Sequence, residues 1–185
     1  MNELDFNKHR KIADNLYSDA NCKYDGNEYI YHIDMVINCI NNHKNIFKYD
    51  NDYINTVFAG FYHDVIEDAK ISYNNIKEHS NEDIANITLA VTDVPEENRL
   101  LRHLATMNKT VKDHRAIILK MCDVHANASY SKKMGNAMYK KYVEEYYYRR
   151  PIFKKALNWY KDKLNMDVVD NLWNELDDIH EFKMI

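Results

Sequence analysis

The sequence has only three glycines and two prolines among its 185 residues. These residue types most often break helices and form tight turns, so the chain has little material for β-hairpins. Asn, Asp, Lys, Tyr and Ile are abundant instead. The composition therefore predicts an all-α fold with at most a minor hairpin.

Long apolar runs and a strong net charge are also missing. No stretch approaches the roughly 20 apolar residues of a membrane-spanning helix, and the N-terminal segment MNELDFNKHRKIADNLY is charged rather than apolar. The net charge at pH 7 is only −4, and charges of both signs are mixed along the chain. We therefore expect neither a membrane nor a nucleic acid as partner, while a small anionic substrate would need a local group of basic side chains.

The three cysteines, Cys22, Cys39 and Cys122, form no CxxC pair. Their odd number and wide spacing are typical of reduced thiols in a cytoplasmic protein. We expect them to be buried as small apolar side chains.

Apolar residues recur at intervals of three and four along most of the chain, and short polar breaks separate these stretches. The pattern predicts a bundle of roughly eight to ten helices, and the length suits one domain over residues 1–185. We place the motif-bearing core at about residues 10–130 and the C-terminal helices at about 137–182.

Local signals locate some helix ends. Asp25-Gly26 marks a loop after the first helix, Asn81 is a predicted N-cap, and Pro95 is predicted to begin a helix. One helix is expected to run through YINTVFAGFYHDVIEDA, residues 53–69, without a break.

The segment FYHDVIEDAKIS, residues 61–72, carries four ionisable side chains in six positions: His63, Asp64, Glu67 and Asp68. On a helix they lie three or four residues apart and share one broad face. Three carboxylates this close repel one another unless a cation lies among them or water screens them. A solvated helix end is the alternative interpretation. The apolar run VFAGFY just before the segment favours a cleft and a bound metal ion.

Two further residues are candidate metal ligands, because each is polar at the edge of an apolar segment. His32 lies in NEYIYHIDMV and Asp123 in ILKMCDVHANA. Taken singly, His32 could be a satisfied core histidine, and Asp123 a capping or salt-bridged carboxylate. Together with His63 and Asp64 they give a mixed nitrogen and oxygen set that suits Mn, Fe or Zn and leaves positions for water and a phosphate oxygen.

The ordered set His32, His63-Asp64 and Asp123 resembles the H...HD...D signature of HD-domain metal-dependent phosphohydrolases. Four segments are similar, in order, to those of the (p)ppGpp hydrolase domain of RelA/SpoT enzymes and of the small metazoan SpoT homologues: GNEYIYH, FYHDVIEDAKIS, LAVTD and LKMCDVHAN. In that family they read PYI..H, ALLHD..ED, V..VT and K.AD...N. The match covers roughly residues 10–130, and HDxxED with two further spaced ligands is more specific than HD alone.

This resemblance implies a mostly helical, stand-alone hydrolase that binds one Mn²⁺ and removes pyrophosphate from the 3′ position of guanosine tetra- or pentaphosphate. Its metal ligands would be His32, His63, Asp64 and Asp123. Glu67 and Asp68 would be the acidic pair that orients or activates the attacking water. A small phosphorylated nucleotide is thus the expected partner.

The resemblance also implies substrate contacts. Lys23 lies where the family has a basic residue near the phosphates, and Asn127 matches a substrate-contacting asparagine. Lys120, one turn before Asp123, matches as well and would support the phosphates or the carboxylates. For both lysines the alternative is a solvated surface amine.

The C-terminal segment YKKYVEEYYYRRPIF interleaves basic and aromatic residues. By the same resemblance, a basic residue and a tyrosine from this region hold the nucleotide. The candidates are Lys140 or Lys141 with Tyr146 or Tyr147, and we select Lys141 and Tyr146. An amphipathic helix with its tyrosines in the core is the alternative. Arg99 or Arg102 is a further candidate for a basic substrate contact. His125 could stack on a base or donate a hydrogen bond, or it could be an ordinary packed or exposed histidine.

Two other functions stay open at this point. The first is an HD hydrolase with another substrate, namely an adenosine alarmone, a dNTP, a nucleoside monophosphate or NADPH. The second is a catalytically silent nucleotide-binding HD protein. The ED pair favours the alarmone hydrolase over other HD nucleotidases, and the complete ligand set argues against a silent protein.

Overall fold

A computed structural model describes residues 3–183 of the chain. Within this range it contains nine α-helices, two short 3-10 helices and one two-stranded hairpin. The helices are α1 (Glu3–Asp19), α2 (Ile30–Asn42), α3 (Asp50–Tyr62), α4 (Tyr73–His79), α5 (Glu82–Val91), α6 (Arg99–Thr110), α7 (His114–Met134), α8 (Met138–Leu157) and α9 (Met166–Ile179). The all-α prediction and the predicted number of helices are confirmed.

The hairpin consists of β1 (Lys23–Tyr24) and β2 (Asn27–Glu28), paired antiparallel. Asp25 and Gly26 form its turn, with φ angles of 48° and 83°. Two positive φ values suit the twist of a two-residue hairpin loop, and aspartate followed by glycine adopts them readily. The turn therefore follows from the local sequence.

Side-chain caps are present at the starts of α4, α5, α6 and α7, and two of them test the predicted helix ends. The side chain of Asn81 accepts a hydrogen bond from the Ile84 amide and caps α5, as predicted. The prediction that Pro95 begins a helix is wrong. Helix α6 begins at Arg99. The side chain of Asn98 caps it by accepting a hydrogen bond from the Leu101 amide, whereas a proline side chain has no acceptor atom for a helix N–H group.

The predicted continuous helix over residues 53–69 is also wrong, since α3 ends at Tyr62. The ring of His63 bonds through Nδ1 to the Gly60 carbonyl oxygen at 2.9 Å. That oxygen is the acceptor that the amide of residue 64 would use in a continuing α-helix. Residues 63–68 form turns instead, and two helix-like bonds remain, from the Asp68 amide to the Asp64 carbonyl at 2.8 Å and from the Ala69 amide to the Val65 carbonyl at 3.2 Å.

Helices α2, α3 and α7 pack against one another around the core. Gly60 of α3 permits the approach of α2, because a Cβ atom there would lie 2.8 Å from Cδ1 of Ile37. The close packing brings the start of α2, the end of α3 and the middle of α7 together. None of the helices within residues 3–183 combines the length and apolar character needed to cross a bilayer.

Candidate metal centre and adjoining cavity

Four side chains converge where α2, α7 and the turn after α3 meet. Nε2 of His32 lies 3.3 Å from Nε2 of His63 and 3.3 Å from Oδ1 of Asp123. Oδ2 of Asp64 lies 3.0 Å from Nε2 of His63 and 3.5 Å from Nε2 of His32. The structure thus brings together all four sequence-predicted metal ligands, and both histidines and Asp123 are buried.

This geometry fits a single metal ion. Nitrogen and oxygen ligands lie about 2.0–2.2 Å from an ion of the zinc type, which puts neighbouring ligand atoms roughly 3–3.6 Å apart. Four of the observed separations, 3.0–3.5 Å, match this spacing, and the fifth, from Nε2 of His63 to Oδ1 of Asp123, is slightly longer at 3.7 Å. The bond from Nδ1 of His63 to the Gly60 carbonyl requires a proton on Nδ1, so Nε2 presents its lone pair to the cluster.

Electrostatics also favour a cation at this position. Burial opposes a charge on His32, but its hydrogen bonds to Asp123 and Asp64 outweigh burial and raise its pKa. Burial alone would raise the pKa of Asp64, yet the neighbouring His63 and His32 hold it well below its ordinary value. The carboxylates thus stabilise a positive charge at the position of the histidines. One metal ion supplies that charge without placing two imidazolium groups 3.3 Å apart.

The cluster lies on a cavity of about 440 Å³. Six carboxyl groups line it, against four lysine and arginine side chains, and these ten residues are Asp64, Glu67, Asp68, Asp93, Asp123, Glu145, Lys23, Arg99, Lys120 and Arg149. Tyrosines 24, 29 and 142 are also among the lining residues. This volume falls in the range of small-molecule sites, and the excess of carboxylates would repel an anionic substrate unless a cation is bound.

Glu67 and Asp68 both line this cavity, one turn beyond the two ligands of the HD pair. Oε1 of Glu67 accepts a hydrogen bond from the Asp93 amide at 2.7 Å. Burial is the largest influence on Glu67 and raises its pKa to about 7. Oδ2 of Asp68 lies 2.5 Å from the hydroxyl oxygen of Tyr29, and burial raises the pKa of Asp68. Glu67 is therefore suited to proton exchange near neutral pH.

Three predicted substrate residues also reach the cavity: Lys23, Lys120 and Asn127. Nζ of Lys120 lies 2.9 Å from Oδ2 of Asp123, and although burial opposes its charge, Asp123 and Asp64 raise its pKa. Nδ2 of Asn127 donates to Oδ1 of Asp123 at 2.6 Å. Lys120 and Asn127 thus hold the two oxygens of Asp123, whereas Lys23, on the hairpin, pairs with Glu28.

The other two predicted substrate residues lie elsewhere. Lys141 is exposed, and Tyr146 is buried, donates to Oδ1 of Asp177 at 2.6 Å and stacks on His180. Neither side chain lines the cavity. Helix α8 instead presents Tyr142, Glu145 and Arg149 to it, spaced by three and four residues along one helix face.

Sequence reasoning missed several lining residues. Tyr29, Asp93 and Tyr142 are among them. The position of Tyr29, three residues before His32 in the matched segment, was an available signal. Of the three remaining candidates, Arg99 lines the cavity, with Nε 2.5 Å from Oε1 of Glu145, whereas Arg102 and His125 do not line it.

Comparison with known proteins agrees with this architecture. A search against models of protein families found no match. Among solved structures, the chain is similar to one described as a metazoan orthologue of SpoT that hydrolyses ppGpp and plays a role in starvation responses. The TM-score is 0.68 at 17% sequence identity, over 98% of this chain and 96% of that one. The chain has a SpoT-like HD-domain fold.

Proposed function

We propose that the chain is a divalent-metal-dependent 3′-pyrophosphohydrolase of ppGpp and pppGpp. The observation that carries this proposal is the position of Glu67 and Asp68, which line one cavity together with Asp64 and Asp123. These two carboxylates converge with the buried rings of His32 and His63. The similarity to a structure whose description says that it hydrolyses ppGpp supports the choice of substrate.

The reaction adds water to the phosphorus that is esterified to the ribose 3′ oxygen. The bond between that phosphorus and the 3′ oxygen breaks, so ppGpp gives GDP and pyrophosphate, and pppGpp gives GTP and pyrophosphate. A divalent ion, preferably Mn²⁺, supplies positive charge that polarises a phosphoryl oxygen and makes a nearby water more acidic.

Side chains of the cavity have distinct tasks in this proposal. Glu67, with Asp68 beside it, accepts the proton of the attacking water, since its raised pKa of about 7 suits a base near neutral pH. Lys120 and Asn127 fix Asp123 and offset negative charge. Lys23 and Arg99 are the basic side chains that we assign to the phosphates.

The decisive experiment is a Mn²⁺-supplemented panel of nucleotides scored by product identity. We expect GDP and pyrophosphate from ppGpp, and loss of turnover in Asp64→Ala and in Asp123→Ala. Asp170→Ala, an exposed position on α9, is the matched control and should retain activity. Full activity in excess chelator would contradict the proposal.

The same panel separates the other candidate functions. Release of inorganic phosphate from NADPH or a nucleoside monophosphate, without turnover of ppGpp, would favour a different HD hydrolase. Purified chain that retains no transition metal and turns over nothing would favour a silent nucleotide-binding protein.

The single domain over residues 1–185 and the cytoplasmic location stay predictions from the sequence.

A further inference from the structure

Helix α6 carries three leucines on its solvent-facing side. Leu100, Leu101 and Leu104 are 50%, 43% and 40% exposed. They lie within one turn of the helix and form one apolar surface, which we call the leucine face. The other exposed large apolar side chains within residues 3–183 lie one to an element. Single exposed apolar residues are ordinary, whereas a contiguous group on one helix indicates an interaction surface.

The opposite face of α6 is unusually polar for a buried surface. Its four buried residues are His103, Thr106, Met107 and Thr110. The Thr110 hydroxyl donates a hydrogen bond to the Ala90 carbonyl at 2.8 Å, so α6 is held partly by polar contacts. None of the three leucines packs against the hydrophobic core. The usual amphipathic arrangement is thus inverted, and the packing of the single chain does not explain the leucines.

Opposite charges lie at the two ends of the leucine face. Glu97 lies four residues before Leu101, and Lys112 lies eleven residues after it, spacings that return to the same side of a helix. Both side chains are exposed. Neither has an ion-pair partner within residues 3–183. The face therefore presents an acidic end, an apolar middle and a basic end.

We propose that the leucine face binds a second copy of this chain, with the two α6 helices antiparallel across a twofold axis. A twofold interface uses the same surface of both chains, which must therefore be self-complementary. Antiparallel pairing brings each Glu97 to the partner's Lys112, so both charges gain a partner. Parallel pairing would place like charges together instead. The charge pattern thus favours a second copy and also sets its direction.

The position of Leu104 fits this arrangement. It lies midway between Glu97 and Lys112 in the chain, so it meets the partner's Leu104 close to the axis. The other side of α6 contributes Arg99 and His103 to the cavity lining. The interface therefore lies behind one wall of the cavity. Because one helix from each chain forms its centre, the interface is small and the dimer is weak.

Analytical ultracentrifugation of the full chain from about 5 to about 500 µM tests the proposal, a range that suits a small interface. We expect the average mass to rise with concentration from that of one chain to that of two. Leu104→Glu should raise the dimer dissociation constant by about tenfold or more, because it places two carboxylates at the apolar centre. Leu4→Glu, at an exposed position of α1, is the matched control and should leave the constant unchanged.

Charge reversal separates the proposed dimer from unspecific association through the leucines. Glu97→Lys and Lys112→Glu should each raise the dissociation constant by about tenfold, since each creates like-charge pairs. The double variant should return it to within about twofold of the wild-type value. Thermal unfolding checks that every variant is folded.

Three results would overturn the proposal. The first is a monomer over the whole concentration range, which would leave the leucine face to a different protein. The second is a dimer that folded Leu104→Glu does not weaken. The third is a double charge variant that dimerises no better than the weaker of the two single variants.

Discussion

The hydroxyl of Tyr29 donates a hydrogen bond to Oδ2 of Asp64 at 2.7 Å. This is the same oxygen that faces Nε2 of both His32 and His63. Tyr29 also lies 2.5 Å from Oδ2 of Asp68, so one hydroxyl connects the candidate metal centre to the acidic pair. Burial and the charge of Asp64 raise the pKa of Tyr29, which keeps its proton in place.

Tyr29→Phe should therefore weaken metal binding without unfolding the chain. The phenylalanine ring keeps the stacking contact with Tyr17 but leaves Asp64 without its orienting partner. Loss of such an outer contact lowers metal affinity by about 10–100-fold. Competition titration with Mn²⁺ measures the change.

Tyr31→Phe is the matched control, since Tyr31 is exposed in the first turn of α2, two residues after Tyr29. Its metal affinity should equal that of the wild-type chain. An unchanged metal affinity in Tyr29→Phe would show that the hydrogen bond from this hydroxyl does not contribute to metal binding by Asp64.

Glu67 gives a prediction about pH. Its pKa of about 7 means that the carboxyl group is protonated below this pH and ionised above it. A base must be ionised to accept a proton, so we expect kcat to rise with pH through this value and then to level off. A bound divalent ion shifts the rise to lower pH, because positive charge favours the ionised form.

Glu67→Gln should remove this rise and lower kcat by about 10²–10⁴-fold while metal content stays unchanged. Glu78→Gln, at an exposed position of α4, serves as control. A pH profile of Glu67→Gln that still follows the wild-type curve would assign the rise to another group.

Local sequence was sufficient where local contacts decide the structure. The turn at Asp25 and Gly26 needs only positive φ values, and the cap at Asn81 needs only a side-chain acceptor beside a helix amide. The alternation of apolar runs with His32, His63 and Asp123 was enough to predict that these side chains meet, because each follows or interrupts a core segment.

The rotation of α8 could not be predicted in the same way. Its segment contains three consecutive tyrosines, so composition does not show which residue faces the cavity. Asp177 of α9 sets the rotation of α8, because it accepts hydrogen bonds from Tyr146 and Arg150, which lie one turn apart. With those two residues facing α9, Tyr142 lines the cavity in place of the predicted Tyr146, and Arg149 lines it in place of the predicted Lys141. A contact between distant parts of the chain thus fixed the register.

His180, stacked 4.0 Å from Tyr146, makes the fold sensitive to acid. Burial lowers the pKa of His180 to about 4, from an ordinary value of 6.5. Between these values the unfolded chain binds a proton that the native chain does not, so protonation favours unfolding and stability falls as pH decreases. This histidine alone accounts for a loss of about 2 kcal/mol between about pH 7 and pH 5.

His180→Phe should keep the ring stacking but cannot titrate, although it gives up the hydrogen bond from Nδ1 to the Leu176 carbonyl. Urea unfolding in metal-free buffer should therefore show a lower stability at pH 7 by about 1 kcal/mol, but a smaller loss on acidification, by about 2 kcal/mol. His79→Phe, at an exposed position, should lose as much as the wild-type chain. Equal acid sensitivity of His180→Phe and the wild-type chain would show that His180 does not control it.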